Sequence, residues 1–409
     1  MSTHIAIVTG SPLCRNPRVV KEASALAEAG FRVAVFRPVF SRPLAELDRA
    51  LVADAAWAVE TTVDLTAQRV WPRLVRRASI EAVRRGVERP EALGYGLRRT
   101  LALARAADAD LTIGHQEVGL WVVNRLGEAG RRVGFDLEDW YAEDLLPEAR
   151  RSRPLDLLRR EEALAVRRGG HVTTTSDALA AAFAAAYDGP SPTTVYNAFP
   201  WADRAALDGE TKDRLGGDRQ AISLHWVSQR VGPGRGLETV CDALHHVETP
   251  VELHLRGLCD PDTEAALRAR LPADRGHTLH LHDPVPPDEL LSRIAEHDIG
   301  LALEAPDPPS RDLTVTNKIL HYLLAGLPVV ATDTAGQREI AHKAPDAVSV
   351  FPSGDARRLG AAIEALAADP EVAGRAALAA AEREFSWEVQ RATLVSSVER
   401  ALQSAVPRR

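Results

Sequence analysis

Residues 313–337 read LTVTNKILHYLLAGLPVVATDTAGQ, and this stretch decides how the rest of the chain is understood. Ile319, Leu320, Leu323 and Leu324 recur at helical spacing, which predicts a short helix with one apolar face. Thr316 is its expected N-cap, because a threonine hydroxyl can accept from an early helical N–H. Gly326 stands where a helix needs a left-handed residue to stop. The run 327–331, LPVVA, then reads as a strand buried on both faces of a parallel sheet. Helix, tight turn and buried strand in that order are one step of an alternating α/β fold.

The polar residues of the stretch carry the chemistry. Asn317 and His321 lie four apart, and Lys318 and His321 three apart, so they can share a face near the helix start. Free N–H groups and a partial positive charge at a helix start receive phosphates. Lys318 adds a formal charge. Chemistry alone leaves two readings, a phosphate site and a solvated helix end.

The string Asn317-Lys318-Ile319-Leu320-His321-Tyr322, with Ala325-Gly326-Leu327-Pro328-Val329-Val330-Ala331-Thr332 after it, resembles the donor-binding segment of family 4 glycosyltransferases. That pattern usually runs N-K-x-x-E-Y-x-x-x-G-x-P-V-V-A. The resemblance implies an α/β architecture of the GT-B fold, two Rossmann-like domains facing each other across a cleft. In the family the glutamate of this segment holds ribose hydroxyls, and a second acid stands eight positions earlier. Here His321 and Leu313 occupy those two places.

Length and composition agree with two domains. A chain of 409 residues exceeds what one core usually organises. Fifty basic against 57 acidic residues leave a net charge of −7, so nothing in the balance suggests non-specific nucleic-acid binding. Cys14, Cys241 and Cys259 are an odd number without metal-ligand spacing, as in a reducing cytoplasm. The start, MSTHIAIVTG, reads as a first strand and not as a signal peptide. No window is long and apolar enough to span a membrane. The expected division is a first domain over 1–200, a linker over 201–220 and a donor domain over 221–385. A final helix over 386–409 is expected to cross back to the first domain.

In the first half, residues 5–8 are a strand, and Thr9-Gly10-Ser11 is the turn after it. Asn16-Pro17 reads as an N-cap followed by proline at the first helical position. A loop after the first strand lies at the carboxyl end of the sheet, where open α/β folds bind ligands. Arg15 and Arg18 are there either surface residues or contacts to an anion, with the surface reading ahead. Residues 67–99 hold Arg69, Arg73, Arg76, Arg77, Arg84, Arg85, Arg89, Arg98 and Arg99 between apolar positions such as Trp71 and Leu74. Such a helix can lie on an anionic membrane. A solvated helix with Glu81, Glu88 and Glu91 as local partners is the preferred reading. His115 ends the strand 110–114 and is an acceptor-side or catalytic candidate by resemblance, against a helix-capping histidine. Asp136, Glu138 and Asp139 are three carboxylates in four positions at another strand end. They could orient an acceptor or act as base. Asp108-Ala109-Asp110 precedes its strand, on the wrong side for a metal–diphosphate site. A last strand is expected at 195–198.

The second half restarts with a strand at 222–227 and the loop 228–237, SQRVGPGRGL. Glycines there let backbone N–H groups approach a diphosphate, and arginine offers a forked charge match. The resemblance puts Arg235 on the family's diphosphate-binding position. Gln229 stands at the other basic position, with Arg230 beside it. It also lays His282 or Asp283 against the base. Glu304, at the end of the strand 299–303, is the best remaining acid for a hydroxyl or base edge. Donor contacts are thus expected from Gly10, Gln229, Arg230, Arg235, His282, Glu304, Thr314, Thr316, Asn317, Lys318 and His321, and acceptor-side or catalytic contacts from His115, Glu138 and Asp139.

The resemblance implies a retaining glycosyltransferase that moves a sugar from a nucleotide-diphosphate sugar, based on GDP or UDP, to an acceptor; the replaced glutamates suggest an unusual donor and with it a small specialised metabolite as acceptor. No metal and no separate cofactor are expected. Because both glutamates are replaced, a nucleotide-sugar epimerase and a catalytically inactive partner subunit of the same fold stand as alternatives.

Overall fold

A computed structural model describes residues 2–67, 70–211 and 221–404. Arg69 and the 212–220 part of the expected linker lie outside the described residues. The chain forms two compact units, Met1–Val195 with Arg391–Arg409, and Tyr196–Gln390.

The first unit is built on a parallel sheet of seven strands: β1 (His4–Val8), β2 (Arg32–Val39), β3 (Ala58–Asp64), β4 (Leu111–His115), β5 (Val133–Leu137), β6 (His171–Thr174) and β7 (Thr193–Thr194). Their order is β3-β2-β1-β4-β5-β6-β7, so the winding reverses between β1 and β4. β1, β4 and β5 are buried along their whole length. That burial is why they read as apolar runs and not as alternating patterns. Asn16 caps the helix Pro17–Glu28, its side chain accepting from the Val19 N–H at 3.3 Å. The helix Gln116–Glu128 follows β4 directly. It lies so close to the sheet that a Cβ on Gly119 would stand 2.4 Å from the Val8 carbonyl oxygen.

The strand expected at 195–198 is shorter and earlier, at Thr193–Thr194. Val195 N–H still donates to the Thr174 carbonyl, but the Tyr196 N–H turns to the Gln390 side chain at 3.0 Å. A side-chain amide thus ends the ladder where apolar character alone would continue it. The helix Trp387–Gln403 contributes its later turns to this unit, where Ser397 Oγ meets His171 Nδ1 at 2.9 Å.

The second unit repeats the plan with six parallel strands: β8 (Ile222–Arg230), β9 (Val251–Leu258), β10 (Thr278–His282), β11 (Ile299–Ala302), β12 (Val329–Thr332) and β13 (Val348–Phe351). Their order is β10-β9-β8-β11-β12-β13, with the reversal between β8 and β11. β8 runs three residues beyond the expected end at 227. Its register shifts between Val227 and Arg230, and the shift re-pairs Arg230 with Leu258. One core holds Leu224, Trp226, Leu253, Leu255, Ile299 and Leu301. The other holds Ile319, Tyr322, Leu323, Val329 and Ala331. The expected helix is Asn317–Ala325, with Thr316 as N-cap and Gly326 as a left-handed C-cap at φ 90°. Residues 201–206, placed in the linker by composition, form a 3-10 helix, and Trp201 and Leu207 pack on this second core.

No helix among the described residues is long and apolar enough to cross a membrane. Two doubly wound parallel sheets of this strand order are the architecture of the GT-B fold.

Candidate functional site

In doubly wound sheets, ligands settle at the carboxyl ends of the strands, where the winding reverses. In the second unit that point lies between β8 and β11. A cavity of about 250 Å³ opens there, lined by Gly234, Arg235, Gly236, Leu303, Glu304 and Thr332 among others. The β8 loop supplies the first side. Gly234 and Gly236 both hold positive φ, at 71° and 79°, conformations that side chains other than glycine adopt poorly. They turn the backbone into the helix Leu237–Ala243. Arg235 between them is exposed.

The end of β11 supplies the second side. Glu304 Oε1 accepts from Lys318 Nζ at 2.6 Å, and the two side chains are 21% and 20% exposed. Lys318 sits in the first turn of the helix Asn317–Ala325, and Thr316 Oγ1 accepts its backbone N–H at 3.4 Å. Thr314 Oγ1 donates to the Ser310 carbonyl at 2.7 Å. A carboxylate, a lysine and an arginine that keep access to water beside a cavity can exchange partners for an incoming anion.

The other donor candidates fall elsewhere. Asn317 is exposed at the helix start, and Gln229 and Arg230 are exposed at the end of β8. His321 does not line the cavity. Its ring stacks on Phe199, with centroids 4.0 Å apart and planes 11° apart. His282 lies on the edge strand β10, and its Nε2 meets His254 Nδ1 at 2.9 Å. Gly10 belongs to the first unit, where a Cβ would meet Val118 at 3.0 Å. Ser353 and Gly354 also line the cavity. Sequence reasoning missed them, although the run FPSGD marks a turn at a strand end.

The first unit treats its own reversal point differently. His115 ends β4 with no exposed surface, and its Nε2 is hydrogen-bonded to Glu22 Oε2. His171 Nε2 lies 3.6 Å from the other Glu22 oxygen. Arg18, read first as a surface residue, is buried. Its Nε reaches Asp136 Oδ2 at 2.6 Å, and its Nη1 donates to the Val195 carbonyl at 2.7 Å. The helix Pro17–Glu28 presents Arg18 and Glu22 inward on one face, four residues apart, so the surface reading fails on helix phase. Burial alone would push the Glu22 carboxyl up. His115, and His171 after it, hold it well below the carboxylate range. Burial opposes charge on His115, but Glu22 and then Asp136 raise it above its ordinary value.

Of the three carboxylates at the end of β5, only Asp136, inside the strand, is fully buried. Glu138 and Asp139 are half-buried. Burial and then Asp136 push Glu138 up, and burial and then Glu138 push Asp139 up to about 7. A carboxyl poised there can take or give a proton at neutral pH. Gln116, the residue after His115, holds φ 58°, and its side chain meets Thr9 Oγ1 at 3.2 Å. A non-glycine residue in that region costs about 1 kcal/mol. Asp108 and Asp110, set aside as a metal site, have structural partners: Asp108 pairs with Arg131, and Asp110 Oδ2 accepts from the His4 N–H at 2.8 Å.

The arginine-rich segment forms the helix Val70–Arg84. Glu81 pairs with Arg84 and Arg85, and Glu91 with Arg98. Glu88 reaches Arg160. Glu81 and Glu91 act as local partners, Glu88 instead joins a distant helix, and Val70, Trp71 and Leu74 remain exposed.

Residues 224–369 match the family model for glycosyl transferases group 1. No curated protein matches the sequence. Among solved structures, a sucrose-phosphate synthase from Thermosynechococcus elongatus is 14% identical with a TM-score of 0.70, covering 98% of this chain and 100% of that one. The Anabaena protein HepE in complex with UDP and glucose is 18% identical, with a TM-score of 0.64 over 97% and 99% of the chains. A UDP-forming α,α-trehalose-phosphate synthase from Burkholderia xenovorans is 15% identical, with a TM-score of 0.65 over 99% and 100%. The chain therefore has the GT-B fold, and residues 224–369 of its second unit are similar to group 1 glycosyl transferases.

Proposed function

We propose that this protein is a retaining glycosyltransferase that moves a sugar from a nucleoside diphosphate sugar, UDP- or GDP-linked, to an acceptor. The observation that carries the reading is the cavity between the ends of β8 and β11. It places Arg235 on a glycine-bordered loop near Glu304, whose partner is Lys318, inside the group 1 domain. As the glycosidic bond breaks, negative charge grows on the departing diphosphate. Fixed positive groups that meet that charge lower the barrier. Arg235 supplies a forked cation and Lys318 a point charge. When phosphate takes Lys318, Glu304 is released to accept from a sugar hydroxyl or a base edge.

Two cations from the chain can balance the diphosphate, so the reading requires no metal for this step. His321, at the place of the family's ribose-binding glutamate, offers an imidazole already stacked on Phe199. On the acceptor side, Glu138 and Asp139 are the candidate proton acceptors. The buried His115 serves as a positioning residue through Glu22. The retaining outcome rests on the resemblance of the motifs. HepE was solved with UDP and with UDP-glucose, which supports a uridine donor as the first to try.

The test is nucleotide release from a panel of UDP-, GDP- and dTDP-sugars, with and without chelator. Chelator-resistant release from one donor, lowered in both Arg235→Ala and Lys318→Ala, is the expected result. Full turnover in either variant would remove that residue from the site.

A further inference from the structure

The strands β8, β9 and β10 have one apolar face, packed with Leu224, Trp226, Leu253, Leu255 and Leu279. The opposite face is different. His225, His254 and His280 are register partners across the three strands, so their side chains form a row on one face. Glu252 lies two residues before His254, and His282 two after His280, on that same face. His297 closes over the row, its ring 4.5 Å from that of His225 and 4.7 Å from that of His254. Five imidazoles therefore occupy a layer that a parallel sheet ordinarily fills with aliphatic side chains.

Filling space does not explain them. His225 is fully buried, and neither of its ring nitrogens has a hydrogen-bond partner among the described residues. A leucine would fill that volume without a polar group to desolvate. Glu252 is a buried carboxylate on a sheet face, 5% exposed.

We propose that Glu252, His254 and His280 form a metal site that takes Zn²⁺ or another first-row divalent cation of similar preference. One ligand atom from each residue lies within 4.8 Å of the other two. Ligands around a tetrahedral ion stand about 3.3 Å apart, so closure asks for a modest rotation of side chains. His280 is on the edge strand and only partly buried; its Nε2 meets Thr278 Oγ1 at 2.8 Å and its ring stacks 4.6 Å from that of His254, so closure asks it to leave those contacts and turn, on the side from which an ion and a completing water enter.

The hydrogen bonds fit this assignment. His254 Nδ1 meets His282 Nε2 at 2.9 Å, and His254 Nε2 faces Glu252 Oε2 at 3.4 Å. With the Nδ1 proton donated to His282, Nε2 turns a lone pair towards the carboxylate, and a cation would lie between the two. Metal-bound histidines are held in this way, by a second partner on the other nitrogen. Arg256, two residues further along β9, is the charge that opposes a cation. Its Nη1 donates away to the Asp283 carbonyl at 3.0 Å. Mixed imidazole and carboxylate ligands suit zinc, cobalt and nickel better than magnesium or calcium. The site is separate from the donor cavity and stands or falls without the proposed transfer reaction.

The test is a titration of the full-length, untagged, chelator-treated protein with Co²⁺, read by visible absorption, followed by displacement with Zn²⁺ in a calorimeter. The expected result is one equivalent of Co²⁺ with ligand-field bands, displaced by Zn²⁺. The stoichiometry should be lost in His254→Ala and in His280→Gln and kept in His245→Ala, a surface histidine. His282→Ala should weaken binding by about 10–100-fold. His280→Gln changes a partly exposed edge residue, so it decides the matter if His254→Ala does not fold. No ligand-field bands, or a full equivalent bound by His280→Gln, would overturn the proposal.

Discussion

The two units share a strand order, yet they use the carboxyl ends of their strands in opposite ways. In the first unit, Arg18, Glu22, His115 and Asp136 meet one another inside the protein, and none is more than a few per cent exposed. In the second, Arg235 is exposed and the Glu304–Lys318 pair keeps about a fifth of its surface. Both sets stand where the winding reverses. The position alone therefore does not make a binding site. What distinguishes them is whether the charges are already committed to internal partners. Closed charges hold a framework, and open charges can trade a partner for a ligand.

Breaking the closed set should give the largest effect. Asp136→Ala leaves Arg18 buried beside an uncompensated space, and such losses cost about 3–5 kcal/mol. Urea unfolding should report a loss of that order. The double variant Arg18→Met/Asp136→Leu should recover most of it, because apolar replacement of a whole buried pair is often neutral. If the single variant unfolds like the parent, the contrast drawn here is wrong.

The open set predicts the reverse pattern. Arg235→Ala should lower turnover roughly 100-fold, as expected for one lost charge-stabilising donor. Its stability should stay within about 0.5 kcal/mol of the parent, as for other exposed positions. Activity and unfolding measured on the same preparation separate the two.

A pH series sharpens the comparison further. Burial and then Glu138 push Asp139 up to about 7, and burial raises Glu162 to about 7. Glu162 accepts from Tyr187 OH at 2.5 Å and from the Ala142 N–H at 3.1 Å. A carboxyl with a raised folded value favours the protonated form on folding. Its contribution is full below the unfolded value near pH 4 and is lost as pH rises through about 7. Thermal melting should therefore show this part of the stability falling between about pH 4 and pH 7. Asp139→Asn and Glu162→Gln should each flatten that fall, and an unchanged slope in both would refute the assignment.

The smallest effect is expected at Glu304. Its pair with Lys318 is partly solvated, so Glu304→Gln should change stability by no more than about 1 kcal/mol. A shift in nucleotide affinity without a shift in melting temperature would support its place in the open set.

Local sequence was enough for the helix starts, the helix stops and most of the buried strands. Asn16-Pro17, Thr316 and Gly326 carry their own start and stop chemistry, and buried parallel strands declare themselves as apolar runs. The loop around Arg235 and the acid at Glu304 were legible for a related reason. Glycine spacing and strand ends mark a tight turn at the carboxyl edge of the sheet before any contact is known. Composition misled where the partner is distant. Residues 201–206 read as linker because they are polar, yet Trp201 and Leu207 find the second core. Tyr196 reads as strand, yet a glutamine 194 residues away takes its N–H.

What the sequence determined by itself was the alternation of helix and strand and the chemistry available at each strand end. Tertiary structure alone decided which charges became partners. Glu22 and His115 lie 93 residues apart, and Arg18 and Asp136 lie 118 apart. His225, His254 and His280 share a row only because three strands adopt one register. Periodicity reports the face a residue occupies within its own element. The partner across the sheet is set by strand order and register, which no local pattern encodes.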